Sequence, residues 1–105
     1  MILVYNRIIP FKGFKCINLF GVLFVRTGCV MQSSDMNHEV IHTVQMKEML
    51  YIFFYVAYIL EWLYHLLICH DSRKAYYRIS FEKEAYENQS DRDYVKTRKM
   101  FNQYR

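Results

Sequence analysis

The sequence predicts an α+β fold in a single domain: an N-terminal β-hairpin over residues 1–26, a long or kinked apolar helix over 37–69 and a C-terminal helix over 80–100. Three observations point there. Two runs rich in β-branched and aromatic residues, "ILVYNRII" (2–9) and "INLFGVLFV" (17–25), flank the turn-forming segment "PFKGFK". All three glycines and the only proline lie within the first 28 residues, so nothing from Cys29 onward forces a turn, and long helices are favoured there. The chain has 105 residues, enough for one modest core, and 53% of them are hydrophobic, ample to fill it.

Each element follows from its own residues. Pro10 and Gly13 stand where an antiparallel hairpin needs its turn. Residues 27–36 read as a loop leading to Ser34, Asp35 and Asn37, any of which can cap a helix by accepting hydrogen bonds from its free N–H groups. The helical stretch then runs from about Asn37 towards Cys69, with a polar connection, "HDSRKAYYR" (70–78), after it. Ser80 is a natural cap for the last helix. Within the long helix, residues 49–69 form an apolar run of 21, sufficient to span a bilayer. Yet Tyr51, Tyr55, Tyr58, Glu61 and His65 recur at three- and four-residue spacing, which places a polar stripe on one helical face. Packing beside a polar site explains that stripe as well as lipid on all sides does.

Net charge and cysteine usage narrow the function. The charge is +4, but the cations are scattered and accompany no nucleic-acid motif. Basic flanks beside an apolar run suit a membrane surface instead, and no nucleic-acid partner is expected. Cys16, Cys29 and Cys69 are odd in number and irregularly spaced, which fits a reducing compartment rather than a disulfide framework. "CINLFGVLFV" followed by "TGC" faintly imitates a lipoprotein signal, but Arg26 interrupts it and apolar residues precede it. The expected location is therefore cytoplasmic or membrane-associated, with no cleavable signal.

The chemistry is concentrated in "NHEVIH" (37–42). Residues four apart on a helix lie on one face, so His38 and His42 can direct imidazole nitrogens at one zinc ion. Glu39 projects beside them, where it can accept a proton from an attacking water as general base. Catalytic zinc also needs a third protein ligand and an open position. Glu61, with eighteen residues between it and His42, has the spacing of the gluzincin aminopeptidases. In an unbroken helix, however, it would lie about 28 Å from His42 at 1.5 Å per residue. Glu84 and Glu82, in "SFEKEAYEN", are the alternatives. Glu84 is favoured because Asn88 follows it by one turn, as the supporting Asp or Asn follows the glutamate ligand of gluzincins. Glu82 matches the first glutamate of the Glu-x-Glu-Ala pattern of the CAAX-prenyl-protease type.

Taken in order, "IPFKGFK…INLFGVLFVR", "NHEVIHTVQMKE", "FFYVAYILEWL" and "RISFEKEAYEN" resemble small proteins built around His-Glu-x-x-His, similar to reduced forms of the membrane-associated zincins. That resemblance implies a zincin-like minimal domain, bound zinc and a peptide or protein substrate. The expected reaction is peptide-bond hydrolysis, with the hairpin edge adding the substrate as a strand. The rival reading is a non-catalytic membrane-anchored or interaction protein with 49–69 as a transmembrane helix. Topology separates the two, because a single crossing would leave His38 and Glu84 about 30 Å apart on opposite sides.

Overall fold

A computed structural model describes residues 2–8 and 15–104. The fold is α+β. Strands β1 (Ile2–Asn6), β2 (Cys16–Leu19) and β3 (Val22–Arg26) form one sheet in the order β1-β3-β2. Helices α1 (Ser33–Glu48), α2 (Ile52–Cys69), α3 (Ser72–Arg78), α4 (Ser80–Asn88) and α5 (Tyr94–Thr97) follow, with a 3-10 turn at Asn102–Tyr104.

The hairpin differs from the one expected. β1 runs parallel to β3, and the hairpin joins β2 to β3 across the two residues Phe20 and Gly21. Both have positive φ, 54° and 88°, as a tight hairpin turn of matching twist requires. Gly21 adopts this freely. Phe20 is held there by its N–H bond to the Tyr55 hydroxyl (2.9 Å) and by the Tyr55 ring at 5.2 Å. The apolar run 17–25 therefore folds back on itself instead of pairing antiparallel with 2–9. The turn expected at Pro10 and Gly13 lies outside the described residues. Leu23 and Val25 of the central strand point into the core and are fully buried.

The long helix is also interrupted. α1 ends at Glu48, and Leu50 and Tyr51 turn the chain with φ of 54° and 60°. Tyr51 donates to the Met46 carbonyl (2.7 Å) and Ile52 to the Leu50 carbonyl (2.6 Å). Left-handed backbone at two large residues costs on the order of 1–2 kcal/mol each. Folding α2 back buries Phe54 against Met46, Ile79 and Phe81, and a fully buried phenylalanine alone returns up to about 3 kcal/mol. That burial, with the partly buried Tyr55, Tyr58 and Trp62 around it, outweighs the absence of a turn residue.

The helix caps are not the expected residues. At α1 the cap position is Gln32, whose N–H is taken by Asp35 at 3.0 Å. Asn37 instead reaches the carbonyls of Asn88, Gln89 and Asp91, tying α1 to the end of α4. Asp71 caps α3 through the N–H groups of Arg73 and Lys74, so part of the expected polar connection is helical. Ser80 is the first residue of α4 rather than its cap. The expected helix over 80–100 breaks after Asn88, in the turn-forming "NQSDRD". By length and composition α2 could cross a membrane, with a mean hydropathy of 1.7, and only 6% of that stretch is buried in the protein, unlike a core helix.

Candidate metal centre

The first turns of α1 place His38 and His42 side by side, as their spacing requires, and both are buried. Together with Glu39 they form a group whose ligand atoms lie within 4.8 Å of one another and can hold a metal ion. α4 adds a carboxylate to it. Oε1 of Glu82 lies 3.1 Å from His38 Nε2 and 3.0 Å from His42 Nε2, and the two Nε2 atoms are 3.1 Å apart. Three donor atoms thus form a nearly equilateral triangle. Ligands at about 2.0–2.1 Å from a tetrahedral ion stand roughly 3.3 Å from each other, so the triangle is close to the required size.

The tautomers of this triangle follow from its surroundings. Gln45 donates its side-chain NH2 to the Phe81 carbonyl (3.1 Å) and to Glu84 Oε1 (2.7 Å), both of which only accept. Its amide oxygen must then face His42 Nδ1, 2.8 Å away, and Nδ1 must carry the proton. The Nε2 lone pair of His42 is left aimed at Glu82 and His38. Gln89 Oε1 stands 2.8 Å from His38 Nδ1 and can orient that ring in the same way. Three electron-rich atoms so close together need a cation between them, either a proton or a metal ion. The second oxygen of Glu82 accepts from the Tyr58 hydroxyl at 2.6 Å, which fixes the carboxylate's rotation.

The expected third ligand, Glu84, is not brought to the histidines. Two residues beyond Glu82, about 200° round the helix, it lies on another face of α4, where Arg98, Tyr94 and Gln45 engage its carboxylate. Burial opposes its ionisation, but those partners hold its carboxyl below the usual carboxylate range. Arg98 also pairs with Glu48 at 2.8 Å, so a buried charged cluster stands directly behind Gln45. Glu61 is likewise engaged elsewhere. It accepts from the Ser80 N–H and hydroxyl, each at 2.9 Å, and so caps the helix that carries Glu82. Glu61→Ala is expected to cost about 1 kcal/mol of stability, the typical worth of a cap, while metal content stays unchanged. Urea unfolding beside metal analysis checks this, and loss of the metal would restore Glu61 as a ligand.

Gln45, three residues beyond His42, is expected from its spacing to line the site, and it does so at 2.8 Å from His42 Nδ1. Sequence reasoning missed the parts played by Gln89 and Tyr58. For Tyr58 a signal existed, since the polar stripe of α2 does face inward, through Tyr55 to the Asn18 carbonyl, Tyr58 to Glu82 and Glu61 to Ser80. Gln89 carried none, because it lies beyond the last turn of α4.

Electrostatics within the group are strongly coupled. Burial raises the Glu39 carboxyl above its ordinary range, partly offset by the two histidines. Burial alone would lower His42, but the Glu82 carboxylate outweighs it and pushes the imidazole up to about 9. A raised folded-state value stabilises the metal-free fold fully below the unfolded histidine value of about 6.5, and the contribution is lost as pH rises through about 9. Thermal melts of chelator-treated protein should therefore shift downward across that window, and His42→Gln should flatten the shift. A wild-type profile that tracks the variant's would count against the pairing.

A cleft of about 1290 Å³ opens beside the group. Glu39, His42 and Glu82 line it together with edge strand β2 and the aromatic residues Phe54, Tyr58, Trp62 and Tyr76. No model of a known protein family matches the chain, and no curated protein or solved structure matches it.

Proposed function

We propose that the chain is a zincin-like zinc metallopeptidase in which His38, His42 and Glu82 hold the ion and Glu39 acts as general base. The observation that carries this reading is the convergence of His38 Nε2, His42 Nε2 and Glu82 Oε1, each 3.0–3.1 Å from the other two, with Glu39 beside them in an open cleft. Two imidazoles and one carboxylate suit zinc and leave a fourth position open towards the cleft. When bound, the ion would polarise the scissile carbonyl and acidify the attacking water. Glu39, with its raised proton affinity, takes the water's proton and passes it to the leaving amine. Tyr58 and Gln45 keep Glu82 and His42 from rotating away.

The substrate in this reading is an extended peptide with large apolar side chains. β2 is an edge strand of the sheet and borders the cleft, so a peptide can add to it as a further strand while its side chains enter the aromatic wall. The Asn18 carbonyl is already taken by Tyr55, which leaves pairing to the Cys16 end of the edge.

Zinc analysis and cleavage of a fluorogenic peptide library test the proposal. Glu39→Gln is expected to keep the metal and lose cleavage by roughly 10²–10⁴-fold, the usual worth of a general base. Zinc-loaded wild type that cleaves no peptide in the library would reduce the chain to a metal-binding fold, and cleavage surviving in Glu39→Gln would remove Glu39 from its role.

A further inference from the structure

The outward side of α2 is a second feature the metal centre does not use. Ile52, Val56, Ile59, Leu60, Leu63 and Leu67 are all exposed, Leu60 at 61% and Leu67 at 76%. At 3.6 residues per turn they fall within an arc about 100° wide, a continuous apolar stripe roughly 23 Å long. Soluble surfaces rarely leave such a stripe bare. The only acidic or basic (Asp, Glu, Lys or Arg) side chain on α2, Glu61, is turned inward onto Ser80, so the stripe is uncharged. Beside it, α3 packs along α2 and carries the exposed cations Lys74 and Arg78 on one face, while Arg73 lines the cleft and the exposed Asp71 caps the helix.

We infer that this face docks on an anionic lipid bilayer, with α2 lying along the surface rather than crossing it. An uncharged apolar stripe bordered by cations matches the boundary between acyl chains and anionic headgroups. Crossing is disfavoured by the opposite face of α2. Tyr58 is bound to Glu82 and Glu61 to Ser80, and the flanking helices α1 and α4 meet at the metal centre on one side of α2. The cleft also lies on that opposite face, lined by Phe54, Tyr58 and Trp62, and remains open when the stripe is covered. This inference stands without the metal.

Co-sedimentation of the full chain with vesicles of equal parts phosphatidylcholine and phosphatidylglycerol tests it. Wild type is expected to pellet, and Leu60→Glu to weaken binding by on the order of tenfold or more, from the loss of one buried leucine. Lys74→Gln should weaken binding about fivefold on these vesicles and have little effect on pure phosphatidylcholine. Both positions are exposed, so unchanged helicity by circular dichroism accompanies a true docking effect. Wild type that stays in the supernatant, or Leu60→Glu that binds equally, overturns the proposal. So does a dimer in sedimentation equilibrium that Leu60→Glu dissociates without any vesicle binding, since the occupant is then a second copy. Protection of one chain end from external protease would show crossing and overturn it as well.

Discussion

Glu82→Ala is expected to lower zinc affinity by more than about 100-fold, beyond the tenfold to hundredfold that loss of an orienting partner costs, while Glu84→Gln stays within that lower range. The difference follows from position alone. Glu82 shares one oxygen with both histidines at 3.0–3.1 Å, whereas Glu84 reaches His42 only through Gln45. Competition with a chromophoric chelator, alongside elemental analysis of the purified variants, separates the two. If Glu84→Gln lost its metal and Glu82→Ala kept it, the order favoured by sequence would be restored and the geometry of α4 would be wrong.

Arg98→Ala carries the largest expected cost in stability, about 3–5 kcal/mol. The Arg98 side chain is 2% exposed and pairs with Glu48 and Glu84, whose side chains are 9% and 3% exposed. Removing the guanidinium leaves two carboxylates buried without their cation. A native ion pair of this kind adds little against an apolar replacement, but one broken on one side is expensive. The effect should reach the metal centre as well. Glu84 orients Gln45, and Gln45 sets the protonated nitrogen of His42, so zinc affinity should fall about tenfold or more in whatever protein remains folded. Urea unfolding measures the first effect and chelator competition the second. Arg98→Ala that unfolds at the wild-type midpoint would mean that water, not the protein, satisfies the two carboxylates.

The contrast between Glu82 and Glu84 shows where sequence reading stops. Both lie on the short "SFEKEAYEN" helix, and both are buried. Local spacing favoured Glu84 because Asn88 follows it by one turn. In the fold, Asn88 donates to the Glu84 backbone carbonyl instead, at 2.8 Å, and takes no part in the metal group. The residue one turn after Glu82 is Tyr86, which supports His38 by ring packing at 4.4 Å. A pattern of residue types cannot distinguish a hydrogen bond from an edge-on ring when both lie one turn away. Which face of α4 meets α1 is set by how the two helices dock, through contacts such as Gln45 with the Phe81 carbonyl and Asn37 with the end of α4.

The hairpin and the helix break follow the same logic. Phe20, Leu50 and Tyr51 adopt left-handed backbone although none of them is a turn residue. Local preference argues against each, by an amount that one well-buried aromatic ring offsets. Burial of Phe54 and Phe81 is non-local, so no window of sequence contains the term that decides it.

By itself the sequence determined the α+β class, the pairing of His38 with His42 on one helical turn, the place of Glu39 beside them and the existence of a polar stripe along α2. These depend on spacing along a single helix, where 3.6 residues per turn settles which side chains share a face. The tertiary structure decided which glutamate meets the histidines, which strand partners β3 on each side, and that α2 turns back to leave its apolar side bare. Those outcomes are set by contacts between residues tens of positions apart, such as His42 with Glu82 and Arg98 with Glu48, whose energies exceed the local preferences they override.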